Sequence, residues 1–247
     1  MSNSTGSARK VALITGANKG IGFEITRQLG CAGMTVLLGA RNSEQGEASA
    51  QILRAEGIDV DTIPLDLLQQ ETISAAAEWI VAEYGRLDVL VNNAGIVDGE
   101  DGPPSSADLD AVRRVFDVNF FGTLAVTKAM LPLIRKANAG RIVSLSSGLA
   151  SLTLNSDPTW VFASYKILGY WASKAAVNMM TVQLAYELRD TAIKVNAVNP
   201  GFTATDMNGH RGTQTVQEGA AEAVRLALLA ADGPTGGFTG TGANNPW

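Results

Sequence analysis

The chain has 247 residues, 46% of them hydrophobic, and a net charge of −5. At that length one large domain or two small ones can bury roughly 70–75% of the surface that the unfolded chain exposes. An acidic chain without a basic stripe is a poor partner for nucleic acid, and a single cysteine, Cys31, leaves neither an internal disulfide nor a cysteine metal cluster.

Residues 1–8 are a polar tail expected to be disordered, and residues 9–247 are expected to form one domain. Val11-Ala-Leu-Ile14 is a short apolar run of the kind buried on both faces of a sheet. Arg9-Lys10 ahead of it only imitates a signal peptide, because Thr15-Gly16 ends the run at once. No run reaches the length of a membrane span, so a cytoplasmic protein with no membrane partner is expected. Gly16, Gly20 and Gly22 follow, then residues 23–29 with apolar positions at helical spacing. Cys31, on the apolar side of this helix, is expected to be a small core residue. Strand, glycine turn and helix form the first unit of a dinucleotide-binding fold. The glycines let backbone N–H groups approach a pyrophosphate, and the helix N-terminus turns a partial positive charge toward it. The spacing differs from G-x-G-x-x-G, and a glycine-rich turn alone could serve any α/β protein.

Further strands are expected at 34–38, 60–65, 87–91, 141–145, 193–198 and near 237–239. Helices are expected at 43–56, 72–84, about 108–137 with Pro132 near its last turns, about 168–189, and 216–231. Strands and helices alternate, and no repeat or composition shift marks a boundary. The expected fold is therefore α/β: a single-domain, Rossmann-type, doubly wound parallel sheet of about seven strands with helices on both faces. Ligands in such sheets bind beyond the C-terminal ends of the strands. Gly16, Arg41, Asp66, Asn93, Ser147 and Pro200 all fall there.

Tyr170-Trp-Ala-Ser-Lys174 places a phenol and an ammonium four residues apart, on one helix face. A phenol has a reference pKa of about 10, and a nearby ammonium favours the phenolate, so the pair can exchange a proton near neutral pH. A Ser hydroxyl from Ser146-Ser147, closing the preceding strand, could bond the same substrate oxygen. Those parts suit reduction of a carbonyl. The same spacing also arises in ordinary amphipathic surface pairs.

T-G-x-x-x-G-I-G, N-N-A-G, V-N, a Ser closing a strand, Y-x-x-x-K and P-G occur in that order over about residues 10–205. The ordered set resembles the short-chain dehydrogenase/reductase family. The resemblance implies a pyrophosphate turn at Gly16, Asn18, Lys19, Gly20, Ile21 and Gly22. It implies an adenine contact at Asp66 with Leu67 beside it, although Asp66 could equally cap the next helix. Asn93, Ala94 and Gly95 would line the cofactor. Asn119 would hold a water in a proton relay, or cap or kink its own helix. Ser147, preferred to Ser146 by its place in the motif, would orient the substrate carbonyl. Tyr170 would be the general acid, and Lys174 would bind the nicotinamide ribose and lower the Tyr170 pKa. Pro200, Gly201, Thr203 and Thr205 would hold the carboxamide end.

The resemblance implies NADPH-dependent reduction of a ketone or aldehyde. The alternatives are an NAD-linked alcohol dehydrogenase of the same family and a non-catalytic dinucleotide sensor. NADPH (NADP+) is the expected cofactor because the second strand ends in Gly39-Ala40-Arg41, with no acid until Glu44. Arg41 can bond a 2′-phosphate, and Lys19 can approach it from the glycine turn. A stretch around residues 155–166, just before Tyr170, is longer than in many members and is similar to the carbonyl reductase-like ones. It is expected to cover the Tyr170 helix and to favour a monomer or dimer over the family's tetramer. His210 is expected in a surface loop, with no metal site. Trp160, Phe162, Met207 and Trp247 could line an apolar substrate pocket or simply pack.

Overall fold

Period-two alternation decides which side of the sheet each strand residue faces. In β1 (Val11–Thr15), Ala12 and Ile14 join one hydrophobic cluster while Val11 and Leu13 join another. In β2 (Thr35–Ala40), Val36 and Leu38 join the first cluster and Leu37 the second. The computed structural model describes residues 9–240 and 243–247; the tail of residues 1–8 lies outside them. The remaining strands are β3 (Val60–Pro64), β4 (Val89–Asn92), β5 (Arg141–Leu145), β6 (Lys194–Val198), β7 (Phe238–Gly240) and β8 (Ala243–Asn244). They form one sheet in the order β3-β2-β1-β4-β5-β6-β7-β8. Every pairing is parallel except β7 with β8, a two-residue return not anticipated from the sequence.

The strand order reverses between β1 and β4, which makes the switch-point crevice of a doubly wound fold. Helices α1 (Gly20–Cys31), α2 (Ser43–Ala55) and α8 (Val216–Ala227) cover one face. Helices α3 (Gln70–Tyr84), α5 (Thr123–Ile134) and α7 (Leu168–Glu187) cover the other. Two short helices complete the set, α4 (Leu109–Phe116) and α6 (Leu152–Asn155).

Three expectations need correction. Cys31 is exposed. The buried stripe of α1 runs through Gly22, Ile25, Thr26 and Leu29, and Cys31 lies two residues past Leu29, about 200° around the helix. The helix expected at 108–137 is broken: α4 and α5 are joined by a π-helical segment, Asp117–Gly122. The cause is local. Gly122 passes so close to Leu67 that a Cβ would meet its side chain at 2.7 Å, and Asn119 is wholly buried and bonded to another segment. The segment near 155–166 covers only the start of α7. Trp160 and Tyr165 pack on Trp171, whereas Met179, Val182 and Tyr186 farther along remain exposed.

Candidate active site

The glycine turn leaves β1 with Gly16 at φ +61° and Gly20 at φ +58°, a left-handed conformation that glycine adopts freely. The turn also packs closely on the end of β4. A Cβ at Gly16 would lie 2.9 Å from Ala94 Cα, and one at Gly22 would lie 2.3 Å from Asn93 Nδ2. Asn93 Nδ2 donates to the carbonyls of Thr15 and Gly16 at 2.9 and 3.0 Å, and Thr15 Oγ1 accepts from the backbone N–H groups of Asn93 and Ala94. The side chain of Asn93 therefore holds the turn against the end of β4.

Beside this junction opens a cleft of about 1190 Å³. Pockets for drug-sized ligands run about 300–1,000 Å³, so this one has room for a dinucleotide with a small substrate. Gly16, Asn18, Lys19, Gly20, Ile21, Gly22, Arg41, Asp66, Leu67, Asn93, Ala94, Gly95, Tyr170, Lys174, Pro200 and Thr205 all line it. Arg41 is exposed directly after β2 and makes no hydrogen bond or ion pair among the described residues. Lys19 Nζ lies 2.7 Å from Asp206 Oδ2, and His210 Nε2 bonds the other Asp206 oxygen at 2.9 Å. These contacts hold the Asp206 carboxyl below its ordinary value, Lys19 contributing most. Asp206 lies 187 residues from Lys19 and belongs to no recognisable motif, so nothing in the sequence joins the two. His210 is an exposed loop residue at φ +58°.

Asp66 does not cap α3, whose N-terminal flanking residue is Gln69. Its Oδ1 accepts from Leu68 N at 3.0 Å in a local turn on the cleft wall. Two of the expected carboxamide residues do not line the cleft. Thr203 is buried, donating to Pro200 O at 3.0 Å, and its hydroxyl fills the space where a Cβ on Gly219 would stand. Gly201, at φ +75°, abuts the Gln214 amide.

Tyr170 is the third residue of α7, and Lys174 follows one turn later on the same face. Lys174 is 4% exposed, and its Nζ donates to Leu145 O at 2.7 Å. Burial pulls its ammonium down to about 8. Burial pushes the Tyr170 phenol up to about 12, while the Ser147 hydroxyl, within hydrogen-bonding reach, acts in the opposite direction. Lowering of the Tyr170 pKa by Lys174 is thus not what the structure has; the ammonium is turned to the end of β5. Ser147 Oγ accepts from Leu149 N at 3.2 Å, whereas the Ser146 hydroxyl donates to Lys174 O, which leaves Ser147 as the serine beside the phenol.

Asn119 stands behind this group, outside the cleft lining. Its amide brackets Ile96, accepting from N at 2.8 Å and donating to O at 3.0 Å, and also donates to Ser173 Oγ at 3.1 Å. A Cβ at Gly95 would lie 3.3 Å from both Asn119 Oδ1 and Lys174 Nζ, so a bare glycine lets the two polar groups converge. Of the aromatic candidates, Met207 lines the cleft. Trp160 and Phe162 instead build an aromatic cluster with Trp171 and Phe202, and Trp247 stacks on Phe238 at 5.4 Å.

A doubly wound parallel sheet with a glycine turn at its switch point defines a Rossmann-type protein. The match is closer than the fold alone. Residues 10–215 match the short chain dehydrogenase family. The chain is 36% identical to carbonyl reductase [NADPH] 1 of Mus musculus over 98% of this chain and 99% of that protein. It is also 36% identical to the short-chain dehydrogenase anuI of Penicillium roqueforti over 89% and 88%. The structure of salutaridine reductase from Papaver somniferum superposes with a TM-score of 0.81 at 29% identity, covering 93% of this chain and 99% of that one. The chain belongs to the short-chain dehydrogenase family of oxidoreductases.

Proposed function

We propose that this protein reduces a ketone or aldehyde to an alcohol with NADPH. The observation that carries the proposal is the arrangement along one cleft: Tyr170 and Lys174 at one part of the wall, with Ser147 beside the phenol but outside the lining, the glycine turn at another, and at the end of β2 the Arg41 guanidinium, which has no partner among the described residues. The residues present fit the dinucleotide. Glycines at 16, 20 and 22 bring bare backbone to the cleft, and the N-terminus of α1 faces it. Arg41 offers a fork of donors to a 2′-phosphate, and no carboxylate stands at the end of β2 to repel one. Lys19 sits on the rim in an exposed ion pair with Asp206, a type of pairing that is weakly held and readily exchanged.

The hydride for the carbonyl carbon would come from NADPH held in this cleft. The chain's own residues handle the oxygen. Ser147 donates a hydrogen bond that orients it, and the Tyr170 phenol, kept protonated by burial, gives it a proton. Lys174, fixed by Leu145 O, offers the remaining N–H donors of its charged ammonium to the ribose. Asn119 fixes the Gly95–Ile96 backbone behind Lys174. The NADPH-named relative supports the choice of cofactor. The deciding experiment is loss of the nicotinamide absorbance with a panel of ketones and aldehydes. Tight NADPH binding without turnover of any carbonyl would favour a dinucleotide sensor instead.

A further inference from the structure

Helix α7 carries Tyr170 in its first turn, yet the residue before it, Ile167, has no side-chain acceptor with which to cap it. The first N–H groups of a helix have no partner within the helix. Here they are satisfied from a loop almost seventy residues earlier. Leu168 N donates to Gly102 O at 2.9 Å. Gly169 N donates to Asp101 Oδ1 at 2.9 Å, and Tyr170 N donates to Asp101 Oδ2 at 2.9 Å. The first bond within the helix itself runs from Trp171 N to Ile167 O at 3.3 Å.

The loop is shaped for this contact. Arg114 on α4 holds it from outside, with Nε 2.8 Å from Asp98 Oδ2 and Nη2 2.7 Å from Glu100 Oε2. Asp101 N bonds Asp98 O at 3.2 Å, and Gly102 N bonds Asp101 Oδ1 at 2.9 Å. Asp101 itself has no cationic partner among the described residues, so its half-buried carboxylate is compensated by backbone N–H groups. The approach is close enough to require a glycine on the helix. A Cβ at Gly169 would lie 3.0 Å from Asp101 Oδ2 and 3.1 Å from Val112 Cα.

We propose that Asp101 is a positioning residue for Tyr170: its carboxylate fixes the backbone of the proton donor from across the cleft end of β4. The inference rests on the reading of Tyr170 as the general acid. An uncapped helix end frays, and fraying here displaces the one side chain whose distance to the substrate oxygen matters most. A misplacement of about 1 Å at a reacting group can cost on the order of 100-fold in rate.

The test is a set of purified full-length variants assayed with NADPH and whichever ketone the native protein turns over. Asp101→Asn keeps one accepting oxygen but presents an amide N–H₂ to Tyr170 N–H. It is expected to lower kcat at least about tenfold, with NADPH Kd and ketone KM within about threefold of native. Tyr84→Phe is the control, because Tyr84 donates to Asp61 Oδ2 at 2.7 Å, between α3 and β3, and lines no part of the cleft. It is expected to lose comparable thermal stability while keeping kcat within about twofold. Ile167→Asp added to Asp101→Ala supplies a cap from the residue next to the helix, and kcat is expected to return to within about tenfold of native. A native kcat in Asp101→Asn overturns the proposal. So does a folded double variant that stays inactive, and this second reading decides the matter if the single variants do not fold. Tyr170→Phe belongs in the same series. An active Tyr170→Phe brings down the reading of the site itself, whereas an inactive one beside a fully active Asp101→Asn brings down only the role of Asp101.

Discussion

Lys174 Nζ stands 5.8 Å from the centre of the Tyr170 ring, above its face, and bonds the carbonyl at the end of β5 rather than the phenol. The two groups titrate apart, Lys174 at about 8 and Tyr170 at about 12. Reduction by the proposed route needs the phenol protonated and the ammonium charged. Both conditions hold below about pH 8, and only the first holds above it. The kcat/KM for reduction, which reports the free enzyme, is therefore expected to be flat toward neutral pH and to fall above about 8. Lys174→Arg, whose charge persists, should remove that limb from whatever activity remains. A native profile that stays level to about pH 10 would contradict the assignment of the limb to Lys174.

The same lysine makes a stability prediction with a definite sign. Its folded pKa of about 8 lies below the unfolded value of about 10.4, so between these values the unfolded chain binds more protons. Stability then rises with pH across that window, and the cost of the buried charge is greatest at neutral pH. At about 1.36 kcal/mol per pH unit the cost is on the order of 3 kcal/mol. Lys174→Met keeps the stem and removes the charge. It is expected to be inactive, yet to unfold at a higher temperature than the native protein at pH 7, with the gap closing toward pH 10. Thermal melts at the two pH values measure this, and a variant less stable than native at pH 7 would refute it.

Tyr170→Phe removes only the phenolic oxygen. It is expected to abolish carbonyl turnover while leaving NADPH binding within about threefold, since the ring still lines the cleft. Steady-state assays and a fluorescence titration of the cofactor read the two quantities separately. Near-native turnover would move the proton donor elsewhere, with Tyr165 the next residue to test.

Much of this was legible from the chain because its signals are local. The buried strands are short apolar runs, the glycines sit at fixed offsets from β1, and Tyr170 and Lys174 share a helix face by spacing alone. What escaped is set by contacts between distant segments. Helical periodicity runs on through residues 117–122, so the π segment that buries Asn119 under Ile96 has no sequence mark of its own. Asp101 and Asp206 are unremarkable acids in polar loops until the sheet brings them to Tyr170 and Lys19. The one available hint was negative: a helix beginning after Ile167, with no capping residue in its own sequence, needs an acceptor from somewhere else.

The glycine turn should be intolerant of a single methyl group. A Cβ at Gly22 would lie 2.3 Å from Asn93 Nδ2 and 2.7 Å from the Gly16 carbonyl oxygen. The amide could swing away only by giving up its bonds to Thr15 and Gly16, and the carbonyl belongs to the backbone. Overpacking of this kind costs about 1–3 kcal/mol. Gly22→Ala is expected to lose that much in urea unfolding and to bind NADPH at least about tenfold more weakly. A variant with native stability and affinity would show that the turn is looser than its contacts indicate.

The proposed preference for NADPH rests on Arg41. Its guanidinium follows β2 directly, lines the cleft and has no partner among the described residues, so nothing must be broken before it meets a phosphate. The other cation, Lys19, is already engaged with Asp206, and that pairing must exchange before Lys19 can contribute. Arg41 is therefore expected to carry most of the preference for NADPH. A charge-assisted hydrogen bond is worth about 1.5–3 kcal/mol, and about 1.4 kcal/mol is a factor of ten. Arg41→Ala should weaken NADPH binding roughly 10- to 150-fold and leave NADH, which lacks the 2′-phosphate, nearly unchanged. Asp206→Asn frees Lys19 from its carboxylate and should act in the opposite direction, tightening NADPH modestly at low salt. The measurement is the ratio of kcat/KM for the two cofactors in the three proteins. A native protein that prefers NADH, or a ratio that does not move in Arg41→Ala, would refute the role of Arg41 and restore the NAD-linked dehydrogenase as the better reading.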